Sequence, residues 1–491
     1  MSLLTRVRGL GRVGSGRTEV GHAVLVHAAD GGTAEARALA ASLPADPEHD
    51  LVVADLPPGA PVEVWESFAS ALPKGRRPVR LVPGRHPREV GPHVARWLAD
   101  RLGRAVLAPC GLVHHGVTGS LFVHSGPNSG WVWFPPGRPP EWEAKRFPRP
   151  AWESPAFAEP RKVGAGTVAE PLPAGVWLRP DDADDSFAVG RAGLTRTLPC
   201  RPDALVVVLG SPGAADLDPA EVAAFCHGLP PEVLATAWFV PYGGVALPPG
   251  AVPGQALADL LGAEVRCSTG LPVASPDGTE VHALRPDGTL GRTTIAQGFA
   301  HRPRGGAAEP PPPRLCAYQP PVAGLGEMAP GVYWYAPDTV IEVVAAGLWV
   351  RPADTTATAA AARTAPLDPD RNLVLYEALD PAHADRLRVL AQSLLERFDH
   401  ATLLTTALMP TTALPTPPRP RAEPLEPTAG AAPADPAQAG RPVSRPAAES
   451  PAGQGEAAET SLPLLSRMME TVTTRIPGSG HPRGSGDDRS R

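Results

Sequence analysis

The sequence is poor in the residues that announce a function. Its five cysteines (Cys110, Cys200, Cys226, Cys267 and Cys316) are scattered, odd in number and without a Cys-x-x-Cys pair. They read as reduced thiols in a cytoplasmic setting, not as a disulfide framework. Arg6, Arg8 and Arg12 are not followed by the roughly seven-residue apolar core of a signal peptide, so none is expected. No stretch approaches the roughly 18 apolar residues of a membrane span; residues 340–350 come nearest and contain Glu342. Lysine is nearly absent beside arginine, which points to a GC-rich coding genome more than to a function. A net charge of −6 and a pI of about 6.2 give no footprint for nucleic acid.

What is present favours a folded body with a loose end. Apolar residues make up 43% of the chain, enough for real cores, and 491 residues suffice for two or three domains. The 64 prolines and 50 glycines force many turns and at least one unfolded segment.

One stretch occurs twice. Leu98-Ala99-Asp100-Arg101-Leu102-Gly103-Arg104-Ala105-Val106 leads to Cys110-Gly111-Leu112. Leu257-Ala258-Asp259-Leu260-Leu261-Gly262-Ala263-Glu264-Val265 leads, without a gap, to Thr269-Gly270-Leu271. Each copy predicts a helix with one apolar face, a left-handed glycine cap and a buried strand. Each is then followed by a turn-rich excursion; in the second, residues 279–284 predict a strand between Asp-Gly turns.

Strands alternate with helices around both copies. Residues 23–27, 51–54 and 79–82 predict buried strands, with helices at 33–43 and 62–72. A second series opens at Gly175-Val176-Trp177-Leu178, continues through the strand 204–209, and places a helix from Asp218, its cap, with Pro219 in the first turn. The expected class is α/β: two related three-layer units with mainly parallel sheets at 21–150 and 165–303. The first unit is expected to hold one more strand–helix pair than the second. A flexible arm (1–20), a Pro-rich joint (304–314), a smaller α+β domain (315–409) and a disordered Pro/Ala-rich tail (410–491) complete the expectation. Gly347-Leu348-Trp349-Val350-Arg351-Pro352 echoes the six residues from Gly175.

Candidate chemistry is sparse. Residues 9–14 match a dinucleotide fingerprint by letters, but no strand precedes them and no helix follows. His27 ends a strand, where ligands of open α/β sheets gather, and Cys110 follows another. The pair is a candidate Cys–His dyad, but a packed His and a buried Cys account for both. The second series has Leu209 and Thr269 near the equivalent places and cannot run the same reaction. His114, His115 and His124 read as a solvent-facing hairpin, since adjacent strand residues point to opposite faces. Asp181, Asp182, Asp184 and Asp185 lack calcium-loop spacing. Gly210-Ser211-Pro212-Gly213 lacks the Gly-Lys-Ser/Thr of a phosphate loop. No cofactor or metal is called for.

Residues 98–111, followed by Trp133-Phe134-Pro135-Pro136-Gly137, resemble the α/β modules of large modular proteins of high-GC actinobacteria with polymorphic-toxin-like organisation. That resemblance implies a caspase-like module with a His-Gly after one strand and a Cys after a later one. Here Ala28 follows His27, and the strand ends where the Cys would sit read Val82-Pro83-Gly84 and Val240-Pro241-Tyr242. The resemblance therefore implies a degenerate scaffold over 23–137 and 204–300. Related long proteins continue into an effector such as an ADP-ribosyltransferase domain, whereas here the tail follows.

The expected function is a non-catalytic scaffold or protein-interaction module, within a toxin-like or secretion-linked system. The rival is a divergent cysteine hydrolase, or another enzyme working from the strand ends of the first unit. A protein partner is expected. The tail offers one docking element, a helix over 461–476 with Leu464, Leu465, Met468, Met469, Val472 and Ile476 on one face.

Overall fold

The computed structural model describes residues 15–414, except 29–30, 58, 87–89, 117–118, 125, 127, 183–185, 276–277, 307–308 and 355–358. The 9–14 stretch, Asp184 and Asp185, and the tail with its expected helix at 461–476 lie outside the described residues. Three mixed sheets with helices against them make this an α/β protein.

The first sheet grows from buried apolar strands separated by short helices. In chain order they are β1 (Ser15–Val20), β2 (Ala23–Ala28), α1 (Ala34–Ser42), β3 (Asp50–Asp55), α2 (Val62–Ala71), β4 (Val79–Pro83), α3 (Pro92–Leu102) and β5 (Val106–Cys110). Then come β6 (Val113–His115), β7 (Leu121–Val123), β8 (Gly130–Phe134), β9 (Glu141–Ala144) and β10 (Arg146–Phe147). The sheet order is β1-β2-β3-β4-β5-β8-β9. Strands β2 to β5 run parallel, and β1, β8 and β9 are antiparallel to their neighbours. Alternation sends Leu25, Val53, Val82 and Leu107 toward α1, and Val26, Val52, Leu81 and Val106 toward α2 and α3. Strands β6, β7 and β10 form a small side sheet. Residues 15–20, expected in a loose arm, instead form β1, because each of them pairs with a residue of β2.

The second sheet repeats this plan. Its elements are β11 (Arg161–Val163), β12 (Thr167–Leu172), β13 (Gly175–Pro180), α4 (Ser186–Thr197), β14 (Val206–Leu209), α5 (Pro219–His227), α6 (Pro231–Thr236), β15 (Trp238–Pro241), α7 (Pro253–Leu261) and β16 (Val265–Ser268). They continue with β17 (Leu271–Ser275), β18 (Gly278–Leu284), β19 (Leu290–Thr293), β20 (Ala296–His301) and β21 (Arg314–Tyr318). The order is β11-β12-β13-β14-β15-β16-β20-β21, with β13 to β16 parallel and the flanking pairs antiparallel. Again the first crossover helix, α4, covers one face, with Trp177, Val206 and Val208, while α5 and α7 cover the other. Strands β17 to β19 form a side sheet where β6 and β7 sit in the first series. The extra strand–helix pair expected in the first series does not exist: α4 supplies the crossover missed in the second. Its sequence, SFAVGRAGLTRT, mixes glycine, threonine and exposed Val189 and lacks a clean apolar stripe.

The repeated helices α3 and α7 end at Gly103 and Gly262, both left-handed with φ of 63° and 61°. Each helix joins the third to the fourth parallel strand of its sheet, so the two copies occupy the same place.

The third sheet contains β22 (Glu327–Ala329), β23 (Val332–Ala336), β24 (Thr339–Val344), β25 (Gly347–Pro352), α8 (Ala359–Thr364), β26 (Asn372–Tyr376), α9 (Pro381–Leu395), α10 (His400–Leu404) and β27 (Thr406–Pro410). Its strands follow in sequence order; β25, β26 and β27 are parallel and the rest antiparallel. The apolar run 340–350 is therefore two strands folded into a hairpin, turning before Gly347. Residues 314–318, expected at the joint and in the small domain, are the outer strand of the second sheet. All described residues fall within one compact unit, Met1–Pro417. No described helix is long and apolar enough to cross a membrane.

Candidate functional site

Ligands of open α/β sheets gather at the carboxyl ends of the parallel strands. In each sheet the first parallel strand is also one arm of a hairpin, and the hairpin places polar groups at that end.

In the second sheet, Glu170 of β12 lies opposite Trp177 of β13. Arg179, two residues on, donates from Nε to Glu170 Oε2 at 2.7 Å and from Nη1 to the Pro180 carbonyl at 2.9 Å. Arg191 of α4 pairs with Glu170 Oε1. The carboxylate is buried and its charge is matched by the two guanidinium groups.

The third sheet carries the same arrangement. Glu342 of β24 lies opposite Trp349 of β25. Arg351 Nε reaches Glu342 Oε2 at 2.8 Å, its Nη1 reaches the Pro352 carbonyl at 2.8 Å, and Arg363 of α8 reaches Oε1 at 2.5 Å. The residue spacing of Glu, Trp and both Arg is identical in the two sheets. Burial alone would raise the Glu342 pKa, but hydrogen bonds from Arg363 and Arg351, with their charges, hold it below the usual range. Gly175 and Gly347 begin the two strands for one reason. A Cβ there would lie 2.0 Å from the Val206 carbonyl oxygen in one sheet and 2.3 Å from that of Leu373 in the other.

The first sheet fills the same corner differently. Thr18, opposite Leu25, takes the place of the glutamate, and His27 takes the place of the first arginine. Thr18 Oγ1 lies 3.3 Å from His27 Nε2, and His27 Nδ1 lies 2.8 Å from the Ala28 carbonyl. Nδ1–H donates to that carbonyl, and Nε2 is left facing the threonine hydroxyl. Asp55, paired with His27 across β2 and β3, is fully buried. It accepts from the Thr33 amide (2.5 Å), the Thr33 hydroxyl (3.1 Å) and Arg85 Nε (2.5 Å). Thr33 also caps α1. Asp55 thus ties the loops after β2 and β4 to the end of β3.

Cys110 ends β5, where it pairs with Gly130 of β8. Strands β3 and β4 lie between it and His27. Three inter-strand steps of about 4.8 Å put the two residues roughly 14 Å apart, so the structure does not bring the candidate dyad together. Burial pushes the other thiols up, Cys200 to about 11 and Cys226 and Cys267 to about 12. Such thiols are poor nucleophiles at neutral pH.

The histidine hairpin is less exposed than its sequence suggests. His124 stacks on Phe122, and burial, then the nearby Lys145 charge, pushes its pKa down to about 4. Lys145 is fully buried, 2.8 Å from Ser129 Oγ and 3.5 Å from Glu159, with burial lowering its pKa. Next to it Arg146 pairs with buried Glu153 at 2.6 Å and donates to the carbonyls of Leu172 and Gly175, joining the first sheet to the second. Among the described residues no group of three or more His, Cys, Asp or Glu could hold a metal ion.

The sequence pattern missed Asp55, Arg85, Glu170, Arg191, Glu342 as an ion-pair centre and Arg363. The signal was available in one place: an arginine at the same position in the two echoing segments, with a glutamate inside an apolar stretch five residues before each segment. No family model, curated protein or solved structure matches the chain.

Proposed function

We propose that this chain is a non-catalytic scaffold or protein-interaction module, built from a duplicated α/β unit with a shortened third copy, and working in the cytoplasm within a toxin-like or secretion-linked system. The observation that carries this reading is the filled strand-end corner. Two of the three corners hold a buried carboxylate whose oxygens are taken by two arginines, and the third holds a histidine with both ring nitrogens engaged. Groups satisfied by their own neighbours hold a fold in register; a working acid, base or nucleophile needs a free bonding direction toward substrate. The shared strand order, helix placement and Glu–Trp–Arg–Arg spacing support the duplication.

The rival reading, a divergent cysteine hydrolase, draws on His27 and Cys110 standing at the carboxyl ends of one parallel sheet. A thiol-reactive probe separates the two. The scaffold reading expects slow labelling of Cys110 that is indifferent to His27→Ala. Fast, selective labelling of Cys110 that disappears in His27→Ala would overturn the scaffold reading.

A further inference from the structure

At the opposite, amino end of the first sheet lies an open groove of about 590 Å³. Glu48 and His49 immediately precede β3, and Trp133, Glu141, Trp142 and Glu143 come from β8 and the outermost strand β9. Arg149 completes the charged lining, so three carboxylates face one guanidinium.

The aromatic walls are fixed in advance. Trp133 meets the His49 ring edge-on at 5.7 Å, and His49 is in turn held by Asp46 at 3.0 Å. Trp142 donates from Nε1 to the Ser129 carbonyl at 3.3 Å. Its indole lies against Gly130, where a Cβ would come within 2.4 Å of Nε1. Both indoles remain half-buried.

One polar atom is left over. Glu143 Oε1 lies 3.8 Å from Arg80, but Oε2 is buried and has no hydrogen-bond partner. A carboxylate oxygen shielded from water and without a donor is costly. Glu143 thus brings to the groove wall a carboxylate whose charge is only loosely compensated.

We infer that this groove binds an arginine side chain presented by a protein partner. A guanidinium stacks on indole faces by cation–π attraction and gives carboxylates paired N–H donors, which an ammonium does not match. The excess of carboxylates supplies the attraction, and Glu143, whose charge Arg80 offsets only from 3.8 Å, supplies much of it. The inference rests on the reading of the chain as an interaction module and gives that module a surface and a partner chemistry.

The test is calorimetric titration of the full chain with a short alanine peptide carrying one arginine. The same peptide carrying citrulline, which keeps the shape and loses the charge, is the control. The arginine peptide should bind at least about tenfold more tightly than the citrulline peptide, and more weakly as salt rises. Glu143→Gln should remove most of that preference. Glu141→Gln, on the exposed rim and unable to disturb the core, should weaken binding a few-fold. Equal binding of both peptides, no binding of either, or full arginine preference in both variants overturns the inference. That failure leaves the scaffold reading standing, because fast labelling of Cys110, and not peptide binding, decides it.

Discussion

The first and third sheets meet at the same structural question and answer it with different chemistry. Both turn an antiparallel hairpin into a parallel sheet, and both must satisfy polar groups at the carboxyl end of the shared strand. The third sheet buries Glu342 between Arg351 and Arg363. The first sheet places Thr18 and His27 there and moves its buried carboxylate one strand over, to Asp55. The second sheet follows the third. The apolar alternation that sets strand order and helix placement is common to all three, while the polar corner varies. Topology is therefore carried by the buried apolar pattern, and the corner is free to change provided its charges remain matched.

The largest effect expected from this contrast comes from removing the buried acid. Glu342→Ala and Glu170→Ala remove charge-assisted hydrogen bonds from Arg351 and Arg179 at the strand ends and should each cost about 1.5–3 kcal/mol in denaturant unfolding. Thr18→Ala, the first-sheet counterpart, should cost about 1 kcal/mol or less. Equal costs at all three positions would show that the corner is not what distinguishes the sheets.

The strand-opening glycines come next. Gly175→Ala and Gly347→Ala force a Cβ against a neighbouring carbonyl and should cost about 1–3 kcal/mol in thermal or chemical unfolding. At the equivalent first-sheet position the residue is already Ala23, fully buried and tolerated. Ala23→Gly should cost only about 0.5–1 kcal/mol, from backbone freedom in the unfolded chain.

A pH series sharpens the contrast with a smaller effect. His124 takes up its proton near pH 4 when folded, against about 6.5 when unfolded. Between those values the unfolded chain binds more protons, so stability falls as pH falls through that window. His124→Gln should flatten the slope there. The Glu342 pKa is lowered on folding, so its contribution is present above the unfolded glutamate pKa and lost as pH falls through the folded value. Glu342→Gln should flatten only that more acidic limb. Stability profiles of the two variants that change in the same window would break the assignment.

The smallest effect is an expected silence. With pKa values near 12, Cys226 of α5 and Cys267 of β16 are ionised only to about one part in 10⁴ at pH 8. Alkylation followed by peptide mapping should find both unmodified in the folded chain and modified in denaturant.

Much of this frame was legible in the residues. The glycine caps at Gly103 and Gly262, the Asp218 cap and the Thr33 start of α1 appear where expected. Helix α4 was not legible, because its residues carry no apolar stripe. The hairpin within 340–350 was not legible either, because Ala345 and Ala346 interrupt nothing in the hydropathy of that run. The echo at Gly347 was visible as letters, but its meaning required Glu342, five residues upstream, and Arg363, twelve residues beyond Arg351.

Local chemistry, then, was determined by the sequence itself: which segments become strands, where helices begin and end, and which faces are apolar. These depend on residues a few positions apart, whose side chains and backbone meet within one turn or one pleat. The tertiary structure alone decided that β1 belongs to the first sheet and β21 to the second. It also decided that His27 faces Thr18 instead of Cys110, and that two buried glutamates each gather two arginines. Those outcomes depend on strand register and on crossovers that bring together residues tens of positions apart. A shift of one residue in a hairpin would send Glu342 to the other face of its sheet and leave Arg351 and Arg363 without it.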